Sequence, residues 1–86
     1  MKPVRFSNHA REEIVRRDIP IEVVEQVLSS PEQVVPEHGG LMARQSRVEL
    51  EGKQYLMRVV VAEQPDVTIV VTAYRTSKIG RYWRSE

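Results

Sequence analysis

Residues 67–76 read VTIVVTAYRT, and residues 77–84 continue as SKIGRYWR. The first segment is rich in β-branched residues and contains neither glycine nor proline, which favours a strand buried on at least one face. The second segment brings three cations and two aromatic residues with no carboxylate. A buried strand that leads into a basic, aromatic tail is suited to bind an anion. The alternative is that the aromatic residues fold back onto the core while the cations are solvated.

The segments before this strand begin with two predicted helices. Ser7 has the character of an N-cap for a helix over residues 8 to about 17. Pro20 suits the first turn of a second helix, in which apolar residues recur at helical spacing. This helix should end near Ser29, because the residue before Pro31 avoids the helical region.

Beyond residue 40 the apolar residues alternate with a period of two, which predicts strands. Three strands are expected at about 41–50, 54–62 and 67–76, with tight turns between them and a short edge strand at 33–35. The chain, residues 1–86, is therefore predicted to be a single α+β domain. Two N-terminal helices would pack on one face of a three- to four-stranded antiparallel sheet, followed by the short basic, aromatic tail. The expected core comprises Val24, Leu28, Met57, Val59, Ile69 and Val71.

Strand parity assigns polar side chains to the other sheet face, provided that the hairpin registers hold. That open face would gather Gln45, Arg47, Arg58, Thr72 and Tyr74. Two guanidinium groups, a hydroxyl, a phenol and an amide on one solvated face are suited to hold a phosphate. The alternative is the ordinary polar outer face of an antiparallel sheet.

Composition narrows the remaining possibilities. The 86 residues include no cysteine and two histidines far apart, so neither disulfides nor a structural metal site is expected, and no cofactor is implied. No apolar run approaches the length of a membrane span, which predicts a soluble, cytoplasmic protein. Net charge is +1, but residues 52–86 carry six Lys or Arg against three Asp or Glu. Ten of the 13 cations are arginine, whose planar fork suits phosphate.

His9 is the candidate for proton transfer in the first helix. As the second helical residue it lies near the positive helix end, which disfavours imidazolium, whereas Glu13 one turn later favours it. Such a histidine is suited to general acid or base chemistry near neutral pH, although a lone histidine on a surface helix commonly has no role.

The chain resembles a bacterial family described only as a domain of unknown function. Phe6-Ser7-Asn8-His9-Ala10, followed by Arg17-Asp18-Ile19, resembles its opening pattern S-x-H-A-x-x-R-M-x-x-R-G-I, and residues 70–74 (VVTAY) match its ending V-V-T-x-Y. Two positions depart from the pattern, because Glu13 replaces an arginine and Asp18 replaces the glycine. The family is in turn similar to the RelE/BrnT-type ribonuclease toxins, which are compact α+β proteins whose sheet face binds and cleaves RNA without metal.

This resemblance implies a metal-independent endoribonuclease of a toxin–antitoxin pair, with RNA and an antitoxin protein as partners. His9 or Tyr74 would transfer protons, Arg58 would contact the phosphate and Thr72 would support it. The RNA-binding track would comprise Arg47, Arg75, Lys78, Arg81 and Tyr82. Two alternatives stay open: a non-catalytic module that binds RNA or protein, and a small structural or regulatory domain. The sequence does not predict the oligomeric state.

Overall fold

The computed structural model describes residues 2–85. Its elements in chain order are β1 (Val4–Phe6), α1 (Asn8–Arg16), α2 (Ile21–Ser29), β2 (Gln33–Pro36), β3 (Met42–Leu50), β4 (Lys53–Glu63), β5 (Thr68–Thr76) and α3 (Ile79–Tyr82). A 3-10 turn, His38–Gly40, connects β2 to β3. The fold is α+β, and the five strands form one sheet in the order β1-β5-β4-β3-β2.

The sheet is mixed, so the prediction of a three- to four-stranded antiparallel sheet was wrong. Strands β2 to β5 pair antiparallel, as expected, but β1 adds a fifth strand that lies parallel to β5. Three residues are too few to show a periodicity, and their partner lies more than 60 positions along the chain. The β1–β5 pairing therefore depends on tertiary packing and left no local signal in the sequence.

Local signals place both ends of α1. The Ser7 side chain accepts a hydrogen bond from the Ala10 backbone N–H at 3.0 Å, which confirms Ser7 as the N-cap. At the other end Asp18 has a φ of 54°, and Ile19 N–H donates to the Ile14 carbonyl at 3.0 Å. This pattern is a Schellman motif, which turns the chain sharply towards α2.

Helix and strand residues share one hydrophobic cluster. Its buried members are Ala10, Ile14, Ile19, Val24, Val27, Leu28, Met57, Val59, Val61, Val70 and Ala73. Since the strand members include alternate residues of β4, they define one side of the sheet, here called the helix side. Burying apolar surface stabilises the folded state by roughly 25 cal/mol for each Å² removed from water, and this is the dominant favourable contribution to folding.

A bulge in β5 corrects the predicted core. Val60 pairs with Thr72 but Val61 pairs with Val70, so Val71 is an extra residue in β5. An extra residue reverses the alternation of sides on its two flanks. Consequently Val70 and Ala73 are buried in the cluster, whereas the predicted Ile69 and Val71 are only partly buried.

The opposite side of the sheet, here called the tail side, is also partly covered. Val35, Ala43 and Val60 form a second buried cluster there, and Leu41 and Tyr74 pack against it. The face predicted to be open to solvent is therefore a second, smaller core with a polar margin. That margin contains the candidate site.

Candidate functional site

Four side chains form a polar row across the tail side. Cross-strand pairing aligns Gln33 on β2 with Gln45 on β3, Gln45 with Arg58 on β4, and Arg58 with Tyr74 on β5. The Gln45 amide nitrogen Nε2 donates to Gln33 Oε1 at 2.8 Å, and Arg58 Nε donates to Gln45 Oε1 at 2.8 Å. Arg58 Nη1 lies 2.5 Å from the Tyr74 hydroxyl. The row (Gln33, Gln45, Arg58 and Tyr74) is thus one continuous hydrogen-bonded chain.

Arg58 is the buried centre of this row. The residue is 2% exposed, and its Nη2 donates to Glu37 Oε1 at 2.8 Å. Burial acts to lower the pKa of Arg58, but the hydrogen bonds to Glu37 and Tyr74 outweigh it and leave the pKa raised. Arg58 is therefore a cation whose donors are already engaged by a carboxylate, a phenol and an amide.

Arg47 lies next to the polar row on the same side of the sheet, as the sequence predicted. It pairs with Leu56 on β4, two residues from Gln45, and its guanidinium binds the Glu32 carboxylate at 3.1 Å through both Nε and Nη2. This interaction raises the pKa of Arg47 and lowers that of Glu32. Both predicted phosphate-binding arginines consequently have carboxylate partners.

Residues 77–84, here called the basic tail, lie over the polar row. The Tyr82 ring is 4.4 Å from the Arg58 guanidinium carbon and meets the Tyr74 ring edge to face, with centroids 6.4 Å apart. The Trp83 ring stacks 4.3 Å from the guanidinium carbon of Arg47. Trp83 is partly buried whereas Arg81 and Arg84 are exposed, so the tail docks through its aromatic side chains and leaves these two cations in solvent.

The glutamines of the row contact the backbone of the tail. Gln45 Nε2 donates to the Tyr82 carbonyl at 3.2 Å. Gln33 makes a two-point contact with Arg84, since its Oε1 accepts from the Arg84 N–H at 3.1 Å and its Nε2 donates to the Arg84 carbonyl at 2.7 Å. These contacts hold residues 82–84 across the sheet at alternate residues.

Other predicted site residues occupy different positions. Thr72 is partly buried on the tail side and pairs with Val60, one row away from Arg58. Arg75 pairs with Met57 and stacks 5.0 Å from the Tyr55 ring, so it lies on the helix side, away from Arg58. Lys78 is exposed at the start of α3.

His9 is exposed on α1, and the hydrogen bonds of the described residues do not link it to Arg58, Thr72 or Tyr74. The buried Glu13 lies one turn further along the same helix. The hydrogen bond from Arg16 is the main cause that lowers the pKa of Glu13, and the charges of Arg17 and His9 contribute. The structure thus joins Arg58, Tyr74 and Tyr82 and leaves His9 on a separate element.

Two residues of the site, Glu37 and Gln33, were not predicted from the sequence. Glu37 precedes the 3-10 turn and has no periodic context. Arg17, which belongs to the quoted opening pattern, reaches from the end of α1 to donate to the Ala73 carbonyl at 2.9 Å. Gln33 had a usable signal, because it has the same strand parity as the buried Val35 and so had to face the same side.

Fold and site define a small α+β protein with a guanidinium–phenol pair on one face of a mixed sheet. The chain belongs to the family of domains of unknown function DUF4258, whose model matches residues 6–75. No curated protein and no solved structure matches the chain. The family match covers the N-cap, the three long strands and the polar row, and it ends before the basic tail.

Two further properties concern the described residues 2–85. None of their helices is both long enough and apolar enough to cross a membrane. Within the same range, no three His, Asp or Glu side chains lie together in a way that would hold a metal ion.

Proposed function

We propose that the protein is a cytoplasmic, metal-independent endoribonuclease of the RelE/BrnT toxin type, with an RelE-like arrangement of helices and sheet and an antitoxin as its protein partner. The observation that supports this most directly is the Arg58–Tyr74 pair, a guanidinium held 2.5 Å from a phenol. Both groups belong to a row anchored on four strands, so they are held in position before any ligand arrives.

The proposed chemistry uses the nucleophile that RNA carries itself. The 2′-oxygen attacks the adjacent phosphorus and loses its proton to a base, while the bond from phosphorus to the 5′-oxygen breaks. The 5′-oxygen leaves with a proton from an acid, which yields a 2′,3′-cyclic phosphate and a 5′-hydroxyl. Arg58 would stabilise the charge on the phosphorane, and Tyr74, which contacts Arg58, is better placed than His9 to transfer a proton.

Glu37 controls how much positive charge the site offers to a phosphate. Its carboxylate holds Arg58 Nη2 at 2.8 Å, and its side chain is 27% exposed. An incoming phosphate would have to replace this carboxylate or share the guanidinium fork with it. Removing the carboxylate charge should therefore strengthen binding of RNA, while removing the guanidinium should weaken it.

A second candidate function is a module that binds protein. It is favoured by the pairing of both Arg47 and Arg58 with carboxylates beneath a peptide segment, the basic tail. A surface with balanced charge that already binds peptide backbone and aromatic rings is suited to a protein partner.

Binding of labelled single-stranded RNA, measured at several salt concentrations, tests the proposed function. Glu37→Gln should tighten binding and Arg58→Ala should weaken it, whereas the exposed Arg5→Ala should change little. Each phosphate contact should add about 0.7 to the slope of log affinity against log salt. Absence of salt-dependent RNA binding in the wild-type protein and Glu37→Gln would contradict the ribonuclease proposal.

Cleavage is measured separately on the same RNA in the presence of EDTA, where it should persist. Tyr74→Phe removes one oxygen and should reduce cleavage by about 10²-fold or more while binding is retained. His9→Ala distinguishes the two candidate proton carriers, because a comparable loss in this variant would assign the transfer to His9. Circular dichroism and thermal unfolding confirm that each variant is folded.

A further inference from the structure

The basic tail contacts the polar row in a way that resembles two stacked nucleotides. Consecutive aromatic residues, Tyr82 and Trp83, place their rings 4.4 Å and 4.3 Å from the guanidinium carbons of Arg58 and Arg47. Single-stranded RNA is bound in the same manner, with successive bases on aromatic or guanidinium planes. The spacing of the two arginines therefore suits two consecutive flat rings.

The glutamine contacts extend this resemblance to hydrogen bonding. Gln33 accepts from the N–H and donates to the carbonyl of Arg84. An adenine edge offers the same combination, because its amino group donates and its ring nitrogen accepts, and glutamine binds it through two bonds. Gln45 similarly directs a donor at the Tyr82 carbonyl. Both amides belong to the row and are fixed by Gln45 Nε2, which bonds to Gln33 Oε1 at 2.8 Å.

On the basis of the proposed function, we propose that Gln33 and Gln45 read base edges of single-stranded RNA and that Tyr82 and Trp83 occupy the positions of two consecutive bases. The basic tail is then a competitor within the same chain, and RNA must displace it to reach Arg58. Displacement is feasible because α3 is a single short turn of four residues, Ile79–Tyr82. The Arg47–Glu32 pair beneath Trp83 is also about half exposed and therefore weak. The displaced tail carries exposed Arg81 and Arg84, which are then available to phosphates.

Charge in the tail favours RNA over a peptide as the competing ligand. The tail carries Lys78, Arg81 and Arg84 and no carboxylate, so a polyanion gains contacts from the same segment that it displaces. An uncharged peptide would gain none of these contacts.

Full-length variants test the competition with labelled oligoadenylate and oligouridylate of about six nucleotides. Tyr82→Ala removes the ring over Arg58 and should increase RNA affinity about threefold or more, since a larger fraction of the protein is open. Tyr82→Phe keeps the ring and serves as its matched control, with affinity near that of the wild-type protein. In the wild-type protein, oligoadenylate should shift Trp83 emission to longer wavelength as the tail leaves Arg47.

Base reading is tested by the ratio of the two affinities. The wild-type protein should prefer oligoadenylate, and Gln33→Ala should lower this preference about fivefold or more. Gln54→Ala, at an exposed position of β4, should leave the ratio unchanged. Thermal unfolding of each variant checks that the fold is retained.

The possible failures are distinguishable. If neither the wild-type protein nor any variant binds RNA, both the proposed function and base reading by Gln33 and Gln45 are wrong. If RNA binds but neither Tyr82→Ala nor Gln33→Ala changes the result and Trp83 emission stays constant, RNA binds elsewhere and only the inference is wrong. If a synthetic peptide of residues 77–86 binds Tyr82→Ala more tightly than either oligonucleotide, the groove is a peptide site and the inference is overturned.

Discussion

Arg58 is far more buried in the folded protein than its sequence context predicted. Arg58 was expected on a solvated face, but Tyr82, Glu37 and Gln45 surround it and reduce its exposure to 2%. A buried cation is retained only when its donors are satisfied, because an unpaired charge in the interior is costly. Within the described residues, no buried side-chain nitrogen or oxygen lacks a partner.

Glu63 is the carboxyl that the structure perturbs most clearly. Its Oε1 accepts from the Thr68 hydroxyl at 2.6 Å and from Lys2 Nζ at 3.0 Å, and its Oε2 accepts from Arg44 at 2.6 Å. These hydrogen bonds, that of Thr68 first, lower the pKa of Glu63 from 4.5 to about 2. Glu63 thereby connects the ends of β4 and β5 to β3 and to Lys2, which lies two residues before β1.

Glu63 should make stability depend on pH in the acid range. Because the folded pKa lies below the ordinary value, its contribution is complete above about pH 5 and is lost as the pH falls towards about 2. The contribution should be about 1 kcal/mol or less, since the side chain is 35% exposed and screened by solvent. Urea unfolding of the wild-type protein and Glu63→Gln across this range measures the difference between them.

The exposed Glu49→Gln is the control for Glu63. Its stability profile should follow that of the wild-type protein, because Glu49 lies on β3 away from this cluster. Parallel profiles for the wild-type protein and Glu63→Gln down to about pH 2 would show that Glu63 contributes nothing to acid stability.

At the scale of secondary structure, the S-x-H-A…R-x-I pattern is explained by the contacts of α1. Ser7 caps α1, Ala10 is fully buried against the strands, Arg17 binds the Ala73 carbonyl and Ile19 closes the helix end. Most of the motif therefore attaches α1 to β5. Its one exposed member among the named positions is His9, which the attachment does not require.

Asp18 at the end of α1 is a position where this chain can be stabilised. Its φ of 54° lies in the left-handed region, where glycine is unstrained and the Schellman motif usually places one. Asp18→Gly should raise the free energy of unfolding by about 0.5 kcal/mol or more, measured by urea denaturation. Asp18→Ala should lower it, because alanine tolerates the left-handed region less well than aspartate does. A destabilised Asp18→Gly would mean that the aspartate side chain has a stabilising role of its own.

At the scale of the whole molecule, the basic tail closes the tail side of the sheet. It contacts residues of β2, β3, β4 and β5, since Gln33, Arg47, Arg58 and Tyr74 all touch it. Trp83 is the only tryptophan in the chain, so its fluorescence reports directly on the docked tail.

Arg47→Ala should release Trp83 from the sheet. Loss of the stacked guanidinium should shift native emission to longer wavelength and increase quenching by acrylamide, with a loss of stability of about 1 kcal/mol or less. Arg47→Lys keeps the charge near Glu32 but loses the planar stack, so it should show a smaller shift in the same direction. If the emission of Arg47→Ala is identical to that of the wild-type protein, the side chains of Gln33 and Gln45 hold the tail by themselves through their hydrogen bonds to its backbone.

The sequence by itself determined α1, α2, the three long strands β3 to β5 and much of the polar row. Helical spacing up to Ser29, two-residue alternation after residue 40 and the Glu51–Gly52 turn are local properties, and they located two helices and three long strands correctly. Parity also placed Gln45, Arg47, Arg58 and Tyr74 on one side of the sheet. This assignment holds because the β3–β4 pairing is continuous and because β5 alternates regularly after the bulge at Val71.

Tertiary structure alone decided the rest. The parallel pairing of β1, the bulge at Val71, the Glu37–Arg58 ion pair and the docking of Tyr82 all join residues whose relation no local pattern expresses. Local periodicity reflects the contact of one segment with an average interior, whereas these features depend on which segments meet in the folded chain. For that reason the sequence identified the arginines of the site but not that carboxylates and the basic tail cover them.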